Sequence, residues 1–346
     1  MSDTADYFQT IGRKMAAQLG EHPDPDAVFA NIATEVLREV SAPQIDVLAM
    51  ADWAAQQRPL PKQVNFNSGF GQPPLVVFEA PGFYIEVLFW FPSRTSIHGH
   101  GFTGAFRVLD GYSLQVEYRF QEESAPEAGI RLGKVVARGI EMIAPGKICP
   151  ILGRDDFIHS VAHMGNPSLT LVARTHGNKE LQQFTFLRSG FAHISHQHKQ
   201  SIARQVDVLE AVFKARPEAF MGRVTDFLAG SDSVTCFKVL SQLQARLTLP
   251  VFSRQVLPTI RERFGVSRAR VLAALDDVMR TNGLWGMISG FKEPRKQLML
   301  VLGELFPDEE ERDALICQSL GVPDAGPVLE EWFQIAEQAF APRATV

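Results

Sequence analysis

Between Pro25 and Val40 the apolar residues Phe29, Ile32, Ala33, Val36, Leu37 and Val40 return every three or four positions. That is the spacing of one helix face, and residues 1–68 read as a helical lead-in. The texture then changes. From Gly69 to about residue 190, short runs rich in β-branched and aromatic residues (LVVFEA, GFYIEVLFWF, GAFRVLDGYSLQVEYRF, GKVVARGIEMIAPG, SLTLVART, LQQFTFLR) alternate with Gly and Pro turn signals. Many short strands of this kind predict an antiparallel sandwich or small barrel over 69–190. Beyond about Ser201 the strand texture stops, and amphipathic stretches such as VDVLEAVFKA, CFKVLSQLQARL, RVLAALDDVMR and VLEEWFQIAEQAF follow one another between breakers. The expected class is α+β, with an all-helical region over 191–346.

Composition narrows the function classes. At 346 residues, 45% hydrophobic and 21% charged, the chain can bury a sizeable core. No stretch approaches the roughly 18 to 20 apolar residues of a membrane helix, and the start MSDTADYFQTIGRK lacks a basic then apolar leader, so a cytoplasmic protein without membrane association is expected. Cys149, Cys236 and Cys317 are odd in number, far apart and without CxxC spacing, which predicts reduced thiols and no thiolate metal site. A net charge of -5 gives no global footprint for nucleic acid.

The candidate chemistry lies in Thr95-Ser96-Ile97-His98-Gly99-His100-Gly101. In an extended strand, side chains two apart point to one face, so both imidazoles can reach a single ion. A barrel interior makes a close histidine pair costly unless it has a task, and metal binding resolves that cost. The blander reading is two surface histidines on a hairpin.

His98-x-His100, followed at Gly111 by the turn that closes the strand, resembles the first motif of the cupin barrels. That resemblance implies a cupin-type β-barrel (jelly roll). It places Gly104 where a glutamate ligand usually stands, which implies a three-histidine site. The later stretch Pro150-Ile151-Leu152-Gly153-Arg154-Asp155-Asp156-Phe157-Ile158-His159-Ser160-Val161 has the character of the second motif and implies His159 as third ligand. Residues 87–120 further resemble the thiol dioxygenases: Leu88-Phe89-Trp90, Ser96-Ile97-His98-x-His100 and Val108-Leu109-Asp110-Gly111 follow that order. Gly104 matches the mercaptopropionate branch, which lacks the cysteine of a cysteine-tyrosine crosslink. The likeness covers roughly residues 70 to 190.

Two departures bear on substrate. The run Ser168-Leu169-Thr170-Leu171-Val172 lacks the family's histidine and tyrosine, and Gln72-Pro73-Pro74-Leu75-Val76-Val77-Phe78 lacks the arginine that holds a carboxylate, so free cysteine is not the expected substrate. If Ser168, Thr170 and Val172 face inward, strand alternation turns Arg174 and His176 inward too and makes Arg174 a candidate anion partner. Trp90, Phe102 and Thr170 complete the candidate substrate residues, and Phe106 belongs to the same aromatic set. His163 is expected to be a loop histidine, and His193, His196 and His198 in HISHQHKQ a solvated linker.

Imidazole ligands alone suit zinc, copper or nickel as well as iron; the family resemblance implies ferrous iron. The expectation is a non-haem iron oxygenase or dioxygenase acting with dioxygen on a small chelating substrate, a thiol or organic acid, with the helical region covering the barrel mouth or forming a homodimer. Two other readings stay open. One is a ligand sensor whose output is the helix-turn-helix-like stretch Arg261-Glu262-Arg263-Phe264-Gly265-Val266-Ser267-Arg268-Ala269-Arg270-Val271-Leu272. The other is a metal-dependent isomerase or hydrolase on the same barrel.

Overall fold

A computed structural model describes residues 3–64, 71–165, 167–178, 181–195, 199–256, 258, 268–288 and 290–340. Among the described residues, three helices, α1 (Asp3–Leu19), α2 (Pro25–Glu39) and α3 (Val47–Gln56), precede twelve strands. Pro at the first position of α2 and the Asp46 carboxylate, which accepts from the amides of Leu48 and Ala49 ahead of α3, are ordinary start signals. The strands are β1 (Pro74–Ala80), β2 (Phe83–Trp90), β3 (Ser93–Arg94), β4 (Ile97–His100), β5 (Gly104–Asp110), β6 (Ser113–Glu127), β7 (Ile130–Ile143), β8 (Ile148–Ile151), β9 (Arg154–His163), β10 (Ser168–Thr175), β11 (Phe184–Phe186) and β12 (Phe191–Ile194). Helices α4 (Lys199–Ala215), α5 (Pro217–Ala229) and α6 (Ser233–Arg246) follow, then the single turn α7 (Leu249–Val251), which runs into a π turn over Phe252–Val256. The last four are α8 (Arg268–Ile288), α9 (Pro294–Leu305), α10 (Glu309–Leu320) and α11 (Gly326–Phe340). Among the described residues no helix is long and apolar enough to cross a membrane.

The chain forms two compact units, one of Met1–Arg119, Ala137–Gln182 and Trp285–Val346, the other of Phe120–Val136 and Gln183–Leu284. In the first unit one sheet has the order β1-β2-β10-β5-β8, while β9 of the other sheet pairs antiparallel with β3, β4 and β6. This strand order is that of a cupin-like jelly-roll barrel, preceded in the chain by N-terminal helices and followed by a largely helical C-terminal region.

Strand alternation sorts the first unit into two cores. Phe83, Ile85, Val87 and Phe89 of β2, with Leu169, Leu171 and Ala173 of β10, pack against Phe8, Ile11, Met15, Phe29 and Leu37 of α1 and α2. The opposite face of the same strands supplies Leu88, Trp90 and Val172 to an inner cluster with Phe102, Phe106, Val108, Cys149, Ile151, Phe157 and Val161. Burial on both faces is why β2 reads as a nearly unbroken apolar run. Each such side chain contributes on the order of 1.5 to 3 kcal/mol.

Polar pins fix the helices on the barrel. Arg107 donates to the Tyr7 hydroxyl (2.9 Å) and to the Val40 carbonyl (2.8 Å) at the end of α2. Asp26, in the first turn of α2, accepts from Asn178 (2.9 Å) and from the Thr175 hydroxyl. Toward the end of the chain, Arg94 of β3 and Glu304 of α9 form an ion pair at 2.6 Å with only 7% and 2% of their side chains exposed. The second unit has its own core, built on Phe191, Val206, Phe220, Phe237, Leu240 and Leu275.

Candidate metal centre

The site begins with a strand pairing. His98 on β4 stands opposite His159 on β9 in the antiparallel ladder, so both side chains leave the same face. His100 follows a register irregularity and pairs with Arg154. Gly99 between the two histidines is constrained: a Cβ there lies 2.3 Å from the Arg154 carbonyl oxygen. The three imidazoles are buried, and their candidate ligand nitrogens all lie within 4.8 Å of one another. This arrangement, and not a pair of hairpin surface residues, is what the sequence HGH produces.

The surroundings set the tautomers. His98 Nδ1 donates to the Ser96 carbonyl (2.7 Å) and His159 Nδ1 to the Gln115 side-chain oxygen (3.2 Å), which leaves each Nε2 a lone pair. His100 Nδ1 has no hydrogen-bond partner among the described residues. Its ring is held instead by Phe102 edge-on at 5.1 Å and by Phe157 stacked at 5.7 Å. Burial, and then the neighbouring histidines, push the His100 and His159 imidazoles well below their ordinary pKa, so both are neutral at physiological pH, the form that binds metal. The Nε2 atoms of His100 and His159 stand 3.2 Å apart. Two nitrogens bound at right angles to one ion with bonds of about 2.1 Å stand about 3 Å apart, so this pair is spaced to share one ion, and the cluster could hold a divalent metal.

No fourth protein ligand comes from the position the motif reserves for glutamate. β5 and β10 run so close at Gly104 that a Cβ there lies 2.0 Å from the Ala173 carbonyl oxygen and 2.9 Å from Arg174 Cα. Neither a glutamate nor a cysteine side chain has room. The purified chain is therefore expected to show one intact mass, without the two-hydrogen deficit of a cysteine-tyrosine thioether; a crosslinked species through Cys149 contradicts this construction. Burial also pushes the Cys149 thiol up to about 12, which makes it a poor thiolate.

The candidate substrate residues face the same interior. Trp90 and Phe102 belong to the inner cluster, and Thr170 opposite Leu88 and Arg174 opposite Tyr84 follow the inward parity of β10. Arg174 is not a free cation, however. Its guanidinium lies 3.4 Å over the Phe102 ring centroid and 3.6 Å from the buried Glu86 carboxylate on β2. Sequence reasoning missed Glu86, and the signal was a single acid inside the run Tyr84-Ile85-Glu86-Val87-Leu88. It also missed Gln115, which orients His159.

Two expectations about histidines are corrected. His163 is not in a loop: it ends β9, buried, stacked on Trp90 at 4.1 Å and 9°, with Nδ1 2.9 Å from the Ser113 hydroxyl. Burial lowers its pKa to about 3. His193 is not solvated: it lies on β12 against Phe237 at 5.0 Å, and burial, assisted by Lys238, lowers its pKa to about 4 although its bond to the Ile194 carbonyl opposes the shift. His196 and His198 lie outside the described residues, as do Arg261–Ser267 of the helix-turn-helix-like stretch; Arg268–Leu272 begin α8.

His193 carries a pH prediction. The unfolded imidazole takes a proton below about 6.5 and the folded one only near 4, so the unfolded state binds more protons in that window and stability falls as pH falls through it. The expected slope from this residue is about 1.4 kcal/mol per pH unit. Urea titrations of wild type and His193→Phe between pH 7 and pH 5 check it. Equal slopes in both proteins dismiss the assignment.

No family model matches the chain, and no curated protein matches it. Solved structures do. Hydroquinone 1,2-dioxygenase from Sphingomonas sp. TTNP3 is 10% identical over 32% of this chain and 70% of its own, with a TM-score of 0.25. An uncharacterized conserved protein with a double-stranded beta-helix domain from Klebsiella pneumoniae is 17% identical over 37% of this chain and 88% of its own, TM-score 0.22. A chain from the structures of the DMSP lyases RdDddP and RnDddQII is 13% identical over 53% of this chain and 98% of its own, TM-score 0.27. Likenesses this distant carry no argument about chemistry.

Proposed function

We propose that the chain is a mononuclear non-haem iron enzyme that uses dioxygen on a small metal-chelating substrate. The observation that supports this reading best is the buried trio His98, His100 and His159, with no room for a carboxylate side chain at Gly104. The three imidazoles would hold the ion, and the resemblance to the thiol dioxygenases favours ferrous iron over zinc. When bound, ferrous iron supplies one-electron chemistry with dioxygen that no side chain offers. The chain's own residues do the rest. Ser96 and Gln115 keep the His98 and His159 tautomers, so two of the three nitrogens are presented without reorganisation. Trp90, Phe102, Phe106 and Phe157 make the interior dry, which strengthens every polar contact within it. Free cysteine is expected to be a poor substrate, because its ammonium and carboxylate must leave water for this lining.

Metal analysis of anaerobically purified protein, joined to an oxygen-electrode screen of small thiols and chelating acids, tests the proposal. The expected result is one iron per chain and oxygen uptake with at least one such compound. Bound metal that turns over substrate without oxygen consumption overturns the oxygenase reading in favour of an isomerase or hydrolase.

A further inference from the structure

The inner wall holds a charged pair that the histidine site does not use. Glu86 and Arg174 come from adjacent strands, β2 and β10, and the register Val172 opposite Glu86 and Tyr84 opposite Arg174 puts both on the interior face. At 3.6 Å they form an ion pair but no hydrogen bond. Glu86 Oε2 and Arg174 Nε are buried and have no hydrogen-bond partner among the described residues. The Arg174 side chain keeps 19% of its surface exposed. Phe102 lies beneath it at 3.4 Å, and the same ring meets metal-ligand candidate His100 at 5.1 Å. A single aromatic side chain thus separates the pair from the metal centre.

We propose that Glu86, Arg174 and Phe102 form a subsite for an uncharged, largely apolar molecule bearing a hydroxyl group, such as an alcohol or phenol, as the end of the substrate that does not reach the metal. This rests on the oxygenase reading of the same barrel. The argument is one of charge and hydrogen-bond capacity. An anion placed on Arg174 is also beside Glu86. Two like charges about 5 Å apart at an effective dielectric of about 20 repel enough to change affinity on the order of a hundredfold, which cancels the gain from the arginine. A cation meets the mirror problem. A hydroxyl both donates and accepts, so it can give its hydrogen to the Glu86 carboxylate while accepting from the guanidinium. The neighbouring Phe102, Leu88 and Val172 then cover an apolar body.

Four probes of one shape separate the possibilities: benzyl alcohol, benzoate, benzylamine as its ammonium ion, and toluene. Binding is measured by calorimetry on the protein as purified, with metal content determined on each sample. Wild type is expected to bind benzyl alcohol about tenfold or more tighter than the other three, a difference of about 1.4 kcal/mol. Glu86→Gln leaves the arginine uncompensated and is expected to shift the benzoate-to-alcohol ratio by about tenfold or more toward benzoate. Arg174→Met is expected to shift preference the same way toward benzylammonium. Because each shift compares variant with wild type, any contact of benzoate with the metal cancels. The proposal is overturned if wild type prefers an ion or does not distinguish alcohol from toluene, if either variant keeps the wild-type ratios, or if no probe binds in the millimolar range. Bound iron and oxygen uptake with the wrong order remove the subsite alone. The expected order in a protein that binds no metal removes the oxygenase reading and leaves the subsite standing.

Discussion

Alanine in place of His159 is expected to abolish stoichiometric metal binding, as is alanine in place of His98 or His100. The three nitrogens converge from two strands, so removing any one loses a bond and leaves two donors that cannot close a site. Affinity should fall by well over a hundredfold, because even outer partners of metal ligands are typically worth 10 to 100-fold. Gln115→Ala is expected to fall in that smaller range, since it removes the acceptor that holds His159 Nδ1–H. His163→Phe is expected to keep full occupancy: its ring is engaged with Trp90 and Ser113. Elemental analysis after dialysis reads all five variants. Full metal in His159→Ala together with loss in His163→Phe means that the third ligand has been chosen wrongly.

Glu304→Ala is expected to destabilise the barrel-bearing unit by about 3 to 5 kcal/mol, the effect of stripping a buried cation of its counter-charge. Arg94 Nη1 lies 2.6 Å from Glu304, and Arg94 Nε is buried with no hydrogen-bond partner among the described residues, so the variant leaves a desolvated guanidinium. The double variant Arg94→Met, Glu304→Met should recover most of the loss, since an apolar pair of similar volume carries no such penalty. Urea unfolding measures both. Equal stability of the single variant and wild type shows that water solvates Arg94 and that the pair is not structural.

Local pattern was enough for some of this and not for the rest. The strand texture of GFYIEVLFWF and the HGH spacing are properties of neighbours in sequence, and they located the strand region and the pair His98 and His100; His159 came from the resemblance to the second cupin motif, and the structure brings it to the pair. Gly104 was legible as an absence, and the approach of β10 supplies its physical reason. His163 was misread because Gly165 and Pro167 follow it closely in the sequence, whereas strand β9 runs to His163 itself. His193 sits in a polar stretch, and what buries it is Phe237, 44 residues further on along α6. Glu86 was hidden by its own strand: burial on both faces makes β2 look uniformly apolar, and only the register with β10 shows that the exception meets an arginine. The Arg94–Glu304 pair joins residues 210 apart, a distance over which no local rule operates.

That last separation bears on the order in which the molecule can be made. The unit holding the histidines is interrupted: the hairpin tip and residues 183–284 belong to the other unit, and Trp285–Val346 return to the first. During synthesis from the N-terminus, His98, His100 and His159 are all available long before Glu304 emerges. A nascent barrel therefore spends that interval with Arg94 lacking its counter-ion, whereas residues 120–136 and 183–284 are complete as soon as α8 is. The inserted unit is the one expected to mature first, and the unit holding the three histidines to close behind it when its final helices arrive.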